Sequence, residues 1–246
     1  IEKKLFRNPS LHLGEGYMNE EILIEEGTIE QFVDIVTSSY HDFINKNRFY
    51  KFYENISSFF KSIQQNNQII NSKKNISHHY DLKENFYRLF LDKDMQYSCA
   101  YFHNPNMSLD QAQIDKKNHI IKKLQINKNM KVLDIGSGWG GMAIDIAKKT
   151  GATVKGITLS ENQYTTATKR AQKEGLSDKV SFALQDYRYE QDTYDRIVSV
   201  GMFEHVGVGY FKIFFKKTYE LLNEGGIFIL HTIGQRGKPT ATSPWI

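Results

Sequence analysis

From residue 130 onward the apolar positions follow a regular alternation. Short apolar runs at Lys131–Ile135, Thr153–Ile157, Val180–Leu184, Arg196–Val200 and Gly226–His231 each fit a buried strand. Between them, stretches near 140–149, 161–174 and 210–222 place apolar residues at helical spacing. Gly151 and Gly175 stand where glycines end helices. Strands alternating with helices predict an α/β fold with a parallel, doubly wound sheet. Ligands of such sheets bind at the carboxyl ends of the strands.

The chain before residue 130 is patterned differently. Residues 1–27, with LHLGEGYM, read as an extended, glycine-punctuated lead. Thr28 followed by Gln31 is a capping-box pattern, and Phe32, Val33, Ile35 and Val36 supply the apolar face of the helix it opens. Asn45–Asn47 breaks that helix. A second helix is expected over about Phe49–Gln65, with Phe52, Ile56, Phe59, Phe60 and Ile63 on one stripe. Lys46, Arg48, Lys51 and Lys61 border it against Glu54, so its aromatic face suits either a helical core or a membrane surface. A polar, Asn-rich linker follows at 64–75. Next come HHYD at 78–81, a helix through Phe90, the segment Met95–Phe102, and a helix capped by Ser108 and Gln111 that ends near Leu124. Two domains are expected: a helical, lipid- or membrane-associated one over 1–70 and an α/β one over 71–246.

Composition changes this picture little. The chain has 246 residues, of which 40% are hydrophobic and 24% charged, enough to bury a real core. A net charge of +4 permits an anionic partner without requiring one. Cys99 is the single cysteine, which excludes an intrachain disulfide and suits a reducing compartment. No apolar run approaches the roughly 20 residues a membrane-crossing helix needs.

The chemistry concentrates at VLDIGSGWGG, residues 132–141. An apolar strand runs directly into Gly136, Gly138, Gly140 and Gly141, and helix formers follow. Glycines let the backbone double back and let a ligand approach it closely, and the helix start offers free N–H groups. The spacing also fits a dinucleotide-binding turn, but such a site wants an acid about 20 residues on for the ribose. Here the next strand ends in GITLS, without one. Asp134, two residues before the first glycine, suits a cationic amine better than a pyrophosphate. S-adenosylmethionine, with its ammonium and sulfonium, is the better expectation. Thr158, Ser160 and Gln163 then stand where ribose contacts fall, and Asp186 with Tyr187 where the adenine falls. No metal site is expected.

Further segments carry a resemblance. YSCAYF at 97–102, VLDIGSGWGG, GITLSENQ, QDYR at 185–188, DRIVSVGMFEHVG at 195–207 and HTIG at 231–234 are similar to the cyclopropane-fatty-acyl-phospholipid synthase family and its relatives, the mycolic acid methyltransferases. The loop HYDLKENF departs from that family at Lys83 and Glu84. The chain also ends at Ile246, short of the family's C-terminal part and two strands, so it is expected to be truncated there. The resemblance implies that a methylene from S-adenosylmethionine is added to a cis double bond of an unsaturated phospholipid acyl chain, giving a cyclopropane fatty acid. A simple methyl branch is the alternative product. It implies Tyr80, Tyr97 and Ser98 as further cofactor contacts. It also implies bound bicarbonate as base, matched to Cys99, Glu204, His231 and Ile233. Tyr97, Tyr101, Phe203 and Tyr210 are candidates to stabilise positive charge on the acyl chain. The expected setting is cytoplasmic and peripheral, on the inner face of the membrane, with a homodimer allowed for and no nucleic acid partner. Base methylation would favour a polar-Pro-Pro-aromatic motif after the fourth strand, where this chain has GMFEH at 201–205. A non-catalytic lipid binder would not need Asp134, Glu204 and His231 together.

Overall fold

A computed structural model describes Lys4–Leu5, residues 9–46 and residues 84–234. The described residues fall in two compact units, one holding those up to residue 46 and the other holding 84–234. The helix expected at 49–65, the linker at 64–75 and Tyr80 lie outside the described residues.

In the first unit, helix α1 spans Pro9–Met18 and α2 spans Ile29–Lys46. The extended lead expected over 1–27 is therefore corrected. Gly14 and Gly16 read as turn residues but sit inside α1, at a cost of about 1 kcal/mol each relative to Ala. Pro9 starts the helix at a position where its missing N–H is harmless. Gly16 is buried, and the Tyr17 ring stacks on Phe32 of α2 at 6.5 Å, so packing outweighs propensity. The capping box at the start of α2 is formed reciprocally: Thr28 N–H donates to Gln31 Oε1 at 3.0 Å, and Gln31 N–H to Thr28 Oγ1 at 3.2 Å.

The second unit opens with a single helical turn, α3 (Glu84–Tyr87), shorter than the helix expected through Phe90; turns take over, with Leu91 N–H donating back to Tyr87 O. Helix α4 (Leu109–Leu124) follows, its N-terminus capped by Ser108 Oγ accepting from Gln111 N–H at 3.2 Å. Five strands then alternate with helices: β1 (Lys131–Ile135), α5 (Gly141–Thr150), β2 (Thr153–Thr158), α6 (Glu161–Lys173), β3 (Val180–Leu184), β4 (Tyr194–Val200), α7 (Phe211–Leu221) and β5 (Leu222–His231). The sheet order is β3-β2-β1-β4-β5, every pair parallel. This is the α/β doubly wound architecture expected.

Alternation along β1 separates two cores. Val132 packs with Ile120 and Leu124 of α4 and with Met142, Ala143 and Ile146 of α5. Leu133 and Ile135 pack on the other face with Phe214 and Leu221 of α7. Strand order reverses at β1, whose neighbours are β2 and β4, and that is where an open α/β sheet leaves a crevice.

Candidate active site

The crevice is a cavity at the carboxyl ends of β1, β2, β3 and β4. The turn after β1 forms its floor. Gly136 and Ser137 both donate their N–H to Ile157 O, at 2.9 and 3.0 Å, which ties the turn to β2. Gly136 has φ +80°, and a Cβ there would meet Met202 Cβ at 2.6 Å. Gly140 has φ +86° and caps α5, where a Cβ would meet Phe182 at 2.7 Å and Ala167 at 2.9 Å. Gly138 differs: with φ +54°, a Cβ there would point into open space. Gly136 and Gly140 are thus demanded by the fold, whereas Gly138 leaves room above the turn.

Asp134 carries the strongest electrostatic signal. Its residue is 2% exposed, and its Oδ2 has no hydrogen-bond partner. Burial pushes its carboxyl up to about 7. A buried carboxylate lining a cavity without a partner is a cost to the chain alone, and a cationic group placed there would relieve it.

Tyr97, Ser98, Asp134, Gly136, Gly138, Thr158, Gln163, Asp186 and Tyr187 all line this cavity, together with Met95, Gln96, Trp139, Arg188, Met202 and His205. Gly140 and Ser160 do not line it. The Ser160 hydroxyl is engaged as the cap of α6, accepting from Gln163 N–H at 3.3 Å. Thr158 Oγ1 donates to Gln163 Oε1 at 2.7 Å, so these two side chains act as a unit at the end of β2. Asp186 is bound by Arg188, through N–H and Nε at 2.9 Å and Nη2 at 2.6 Å. The Arg188 guanidinium in turn lies over the rings of Tyr187 and Tyr210, at 5.6 and 5.7 Å. Burial pushes the Tyr187 phenol up to about 12, so it stays a neutral donor.

Sequence reasoning reaches the far wall at Tyr97 and Ser98 but not the residues that hold it. The segment Met95–Ser98 forms it, and the side chains that hold it come from α4, which precedes the sheet in sequence. The signal was present in α4: Gln113, Lys116 and Lys117 fall on the same stripe as Ala112, Ile120 and Leu124, and all are buried.

Residues 67–244 match the family model described as mycolic acid cyclopropane synthetase. The chain belongs to this family. It is 48% identical over 169 residues to the "Probable fatty acid methyltransferase" of Pseudomonas putida, a match covering 67% of this chain and 43% of that protein. It is 45% identical over 168 residues to the cyclopropane-fatty-acyl-phospholipid synthase of Escherichia coli strain K12, covering 68% and 43%. The crystal structure of mycolic acid cyclopropane synthase CmaA1 complexed with SAH and CTAB superposes with a TM-score of 0.62 at 36% identity, over 64% of this chain and 55% of that one. The chain therefore spans 43% of the length of these two curated relatives.

In this mycolic acid cyclopropane synthetase relative, the residues matched to an anion site lie outside the cavity lining. Cys99 is exposed. Glu204, in a short turn after β4, accepts from Ile233 N–H at 2.7 Å. Burial raises the Glu204 carboxyl, but bonds from the backbone N–H of Ile233, its own N–H and the Thr232 side chain outweigh this and hold it below the ordinary range. His231 ends β5 beside Val200, and its buried Nδ1 has no partner. Among the described residues no acidic, His or Cys cluster could hold a metal ion, and no helix is long and apolar enough to cross a membrane.

Proposed function

We propose that this chain carries the cofactor-binding core of an enzyme that transfers the methyl carbon of S-adenosylmethionine to an unsaturated phospholipid acyl chain and closes it to a cyclopropane. The unpartnered, buried carboxylate of Asp134 beside the glycine turn carries the reading, because a ligand with a cationic group compensates it best. Membership of the family and the SAH complexed with CmaA1 in its crystal structure support the same choice.

In this reading Asp134 takes the amino group, and the open space above Gly138 admits the ligand against the backbone. The linked pair Thr158 and Gln163 takes the ribose, and Asp186 and Tyr187 border the adenine. When bound, S-adenosylmethionine supplies a methyl group activated by a sulfonium. Tyr97, exposed at the cavity rim beside Phe90 and Tyr87, offers an aromatic face toward positive charge developing on the acyl chain. Ring closure requires loss of a proton from the transferred carbon. Bicarbonate supplies a base there in the family resemblance; His231, with its unpartnered Nδ1, and Glu204 are the side chains that fit it. The Ile233 N–H is taken by Glu204, so its part is to fix that carboxylate. The Cys99 backbone N–H is the further donor proposed.

The acyl chain is proposed to be drawn from the inner face of the membrane, with the N-terminal helical domain, 1–70, as the lipid-associated part. A methyl-branched product is the second reading, favoured by the likeness to the probable fatty acid methyltransferase of Pseudomonas putida. Calorimetry with SAH tests the cofactor assignment directly, and absence of binding would reject it. The two products are isomers, each the substrate plus one CH2, so proton NMR of lipids from cells making the full-length protein separates them: a cyclopropane gives ring-proton signals and no alkene at the modified position, whereas a methyl-branched product keeps an alkene.

A further inference from the structure

The cavity wall at Met95–Ser98 adopts a backbone that its sequence does not favour. Met95 is 3% exposed and has φ +58°, a left-handed conformation that a long side chain rarely takes. Strain of this kind persists only where the surroundings hold the segment on both sides.

Those surroundings are polar and buried. On the near side, Asp92 closes the turn, with Oδ1 accepting from Gln96 N–H at 2.7 Å and Oδ2 from Asp94 N–H at 3.0 Å. Asp94 is bound by Lys117 Nζ at 2.5 Å and by Arg170, whose Nη1 also donates to Trp139 O at 2.8 Å. A Cβ on Gly141, the first residue of α5, would collide with Asp94 and Gln96, so the segment lies directly on the start of that helix.

On the far side two residues of α4 take hold of Gln96 and Ser98 twice over. Gln113 Nε2 donates to Gln96 O at 3.3 Å and to Ser98 O at 2.9 Å. Lys116 Nζ donates to Gln96 Oε1 at 3.0 Å and to Ser98 Oγ at 2.8 Å. Lys116 itself is 3% exposed and has no carboxylate within ion-pair distance among the described residues. A cation buried this deeply, spent on two neutral side chains, has a large desolvation cost and little direct return in stability. Its return lies in where it holds Gln96 and Ser98. Both line the cavity, and a Cβ on Gly201 at the end of β4 would come within 3.2 Å of Ser98 Cβ, so the segment closes against β4.

We infer that Lys116 is a positioning residue for the cofactor: with Gln113 it clamps Gln96 and Ser98, just after the left-handed Met95, and so sets the shape of the cavity wall. The inference rests on the cofactor reading above for its ligand, but its clamp is measurable without one. The groups facing the ammonium are Asp92, Asp94, the Cys99 thiol and Lys117. Burial, the largest influence, brings Lys116 down to about 8. The charged, stronger donor is therefore lost as pH rises through that value, and the clamp weakens with it.

The experiment uses the intact chain, wild type and with Lys116→Gln, Lys116→Met or Ser98→Ala. The last removes one end of the clamp without touching the buried cation, and serves if the lysine variants do not fold. Amide hydrogen exchange over 95–99 is measured without ligand, and SAH affinity by calorimetry from pH 7 to 9.5. Exchange at 95–99 should quicken by about tenfold or more in the variants, and SAH affinity should fall by about tenfold at pH 7. The ligand's own amine loses its charge in the same range and weakens binding in every variant. The wild-type profile should decline through about pH 8 more steeply than the Lys116→Gln profile, which keeps only the ligand's share. Unchanged exchange in folded variants overturns the clamp. Quickened exchange with unchanged SAH affinity overturns its role toward the cofactor. A wild-type chain that shows the exchange difference yet takes up no SAH supports the clamp and rejects the cofactor reading instead.

Discussion

Replacing Asp134 by Asn should make the empty chain more stable and nearly unable to hold the cofactor. The carboxyl stands at about 7 against an ordinary value of 3.8, because burial disfavours its charge. A difference of about three in pKa, at about 1.4 kcal/mol each, costs the empty fold about 4 kcal/mol above pH 7. The sign follows from proton uptake. Between pH 4 and 7 the folded chain binds more protons than the unfolded one, so its stability falls as pH rises through that window and levels off above it. Asn keeps the shape without the charge, but leaves a buried amide short of partners, at about 1–3 kcal/mol. The net gain at pH 8 is about 2 kcal/mol, or about 4–8 °C in melting temperature for a chain of this size. Binding moves the other way. Removing one partner of a buried ion pair costs about 3–5 kcal/mol, a loss of affinity of about a hundredfold or more. Thermal melts from pH 5 to 8.5 and SAH calorimetry in two buffers of different ionisation heat read both effects. The wild type should release close to one proton on binding SAH at pH 6, and Asp134→Asn none. Wild-type SAH affinity in the Asn variant, or a lower melting temperature than wild type at pH 8, would refute the reasoning.

The glycine turn should separate fold from ligand. Gly140→Ala meets Phe182 and Ala167 and should lower the melting temperature sharply, whereas Gly138→Ala meets nothing and should cost only the left-handed strain of about 1–2 kcal/mol while SAH affinity collapses. Glu204→Gln should reduce lipid turnover far more than SAH affinity, measured side by side, because its loss falls on the proton-removal step; equal losses in both would place Glu204 among the cofactor contacts instead.

Much of the α/β unit was legible because its signals are local. Strands β1 and β3 match their expected bounds, since apolar runs of strand length flanked by glycine and polar turns leave little choice of period. The caps at Thr28 and Ser108 were legible for the same reason: the bonds they make reach only three residues along the chain. The glycine spacing located the turn, and parallel alternation assigned it to the ligand-bearing edge of the sheet.

Tertiary structure decided what adjacency in sequence cannot carry. Gly14 and Gly16 are weak helix formers, and only the packing of Tyr17 on Phe32 and the burial of Gly16 make α1 a helix. The three glycines of the turn look alike in sequence, yet Gly136 and Gly140 face packed side chains while Gly138 faces space, a distinction set by Met202 and Phe182 from distant parts of the chain. Ser160 and Thr158 both read as ligand contacts, but the N-terminus of α6 claims the Ser160 hydroxyl because its first amides need an acceptor. The stripe of α4 marks Lys116 as inward-facing, but that its ammonium meets Gln96 and Ser98 rather than a carboxylate is settled only by the fold. Propensity and spacing are properties of neighbours along the chain; which buried charge lacks a partner depends on what the fold brings within a few ångströms of it.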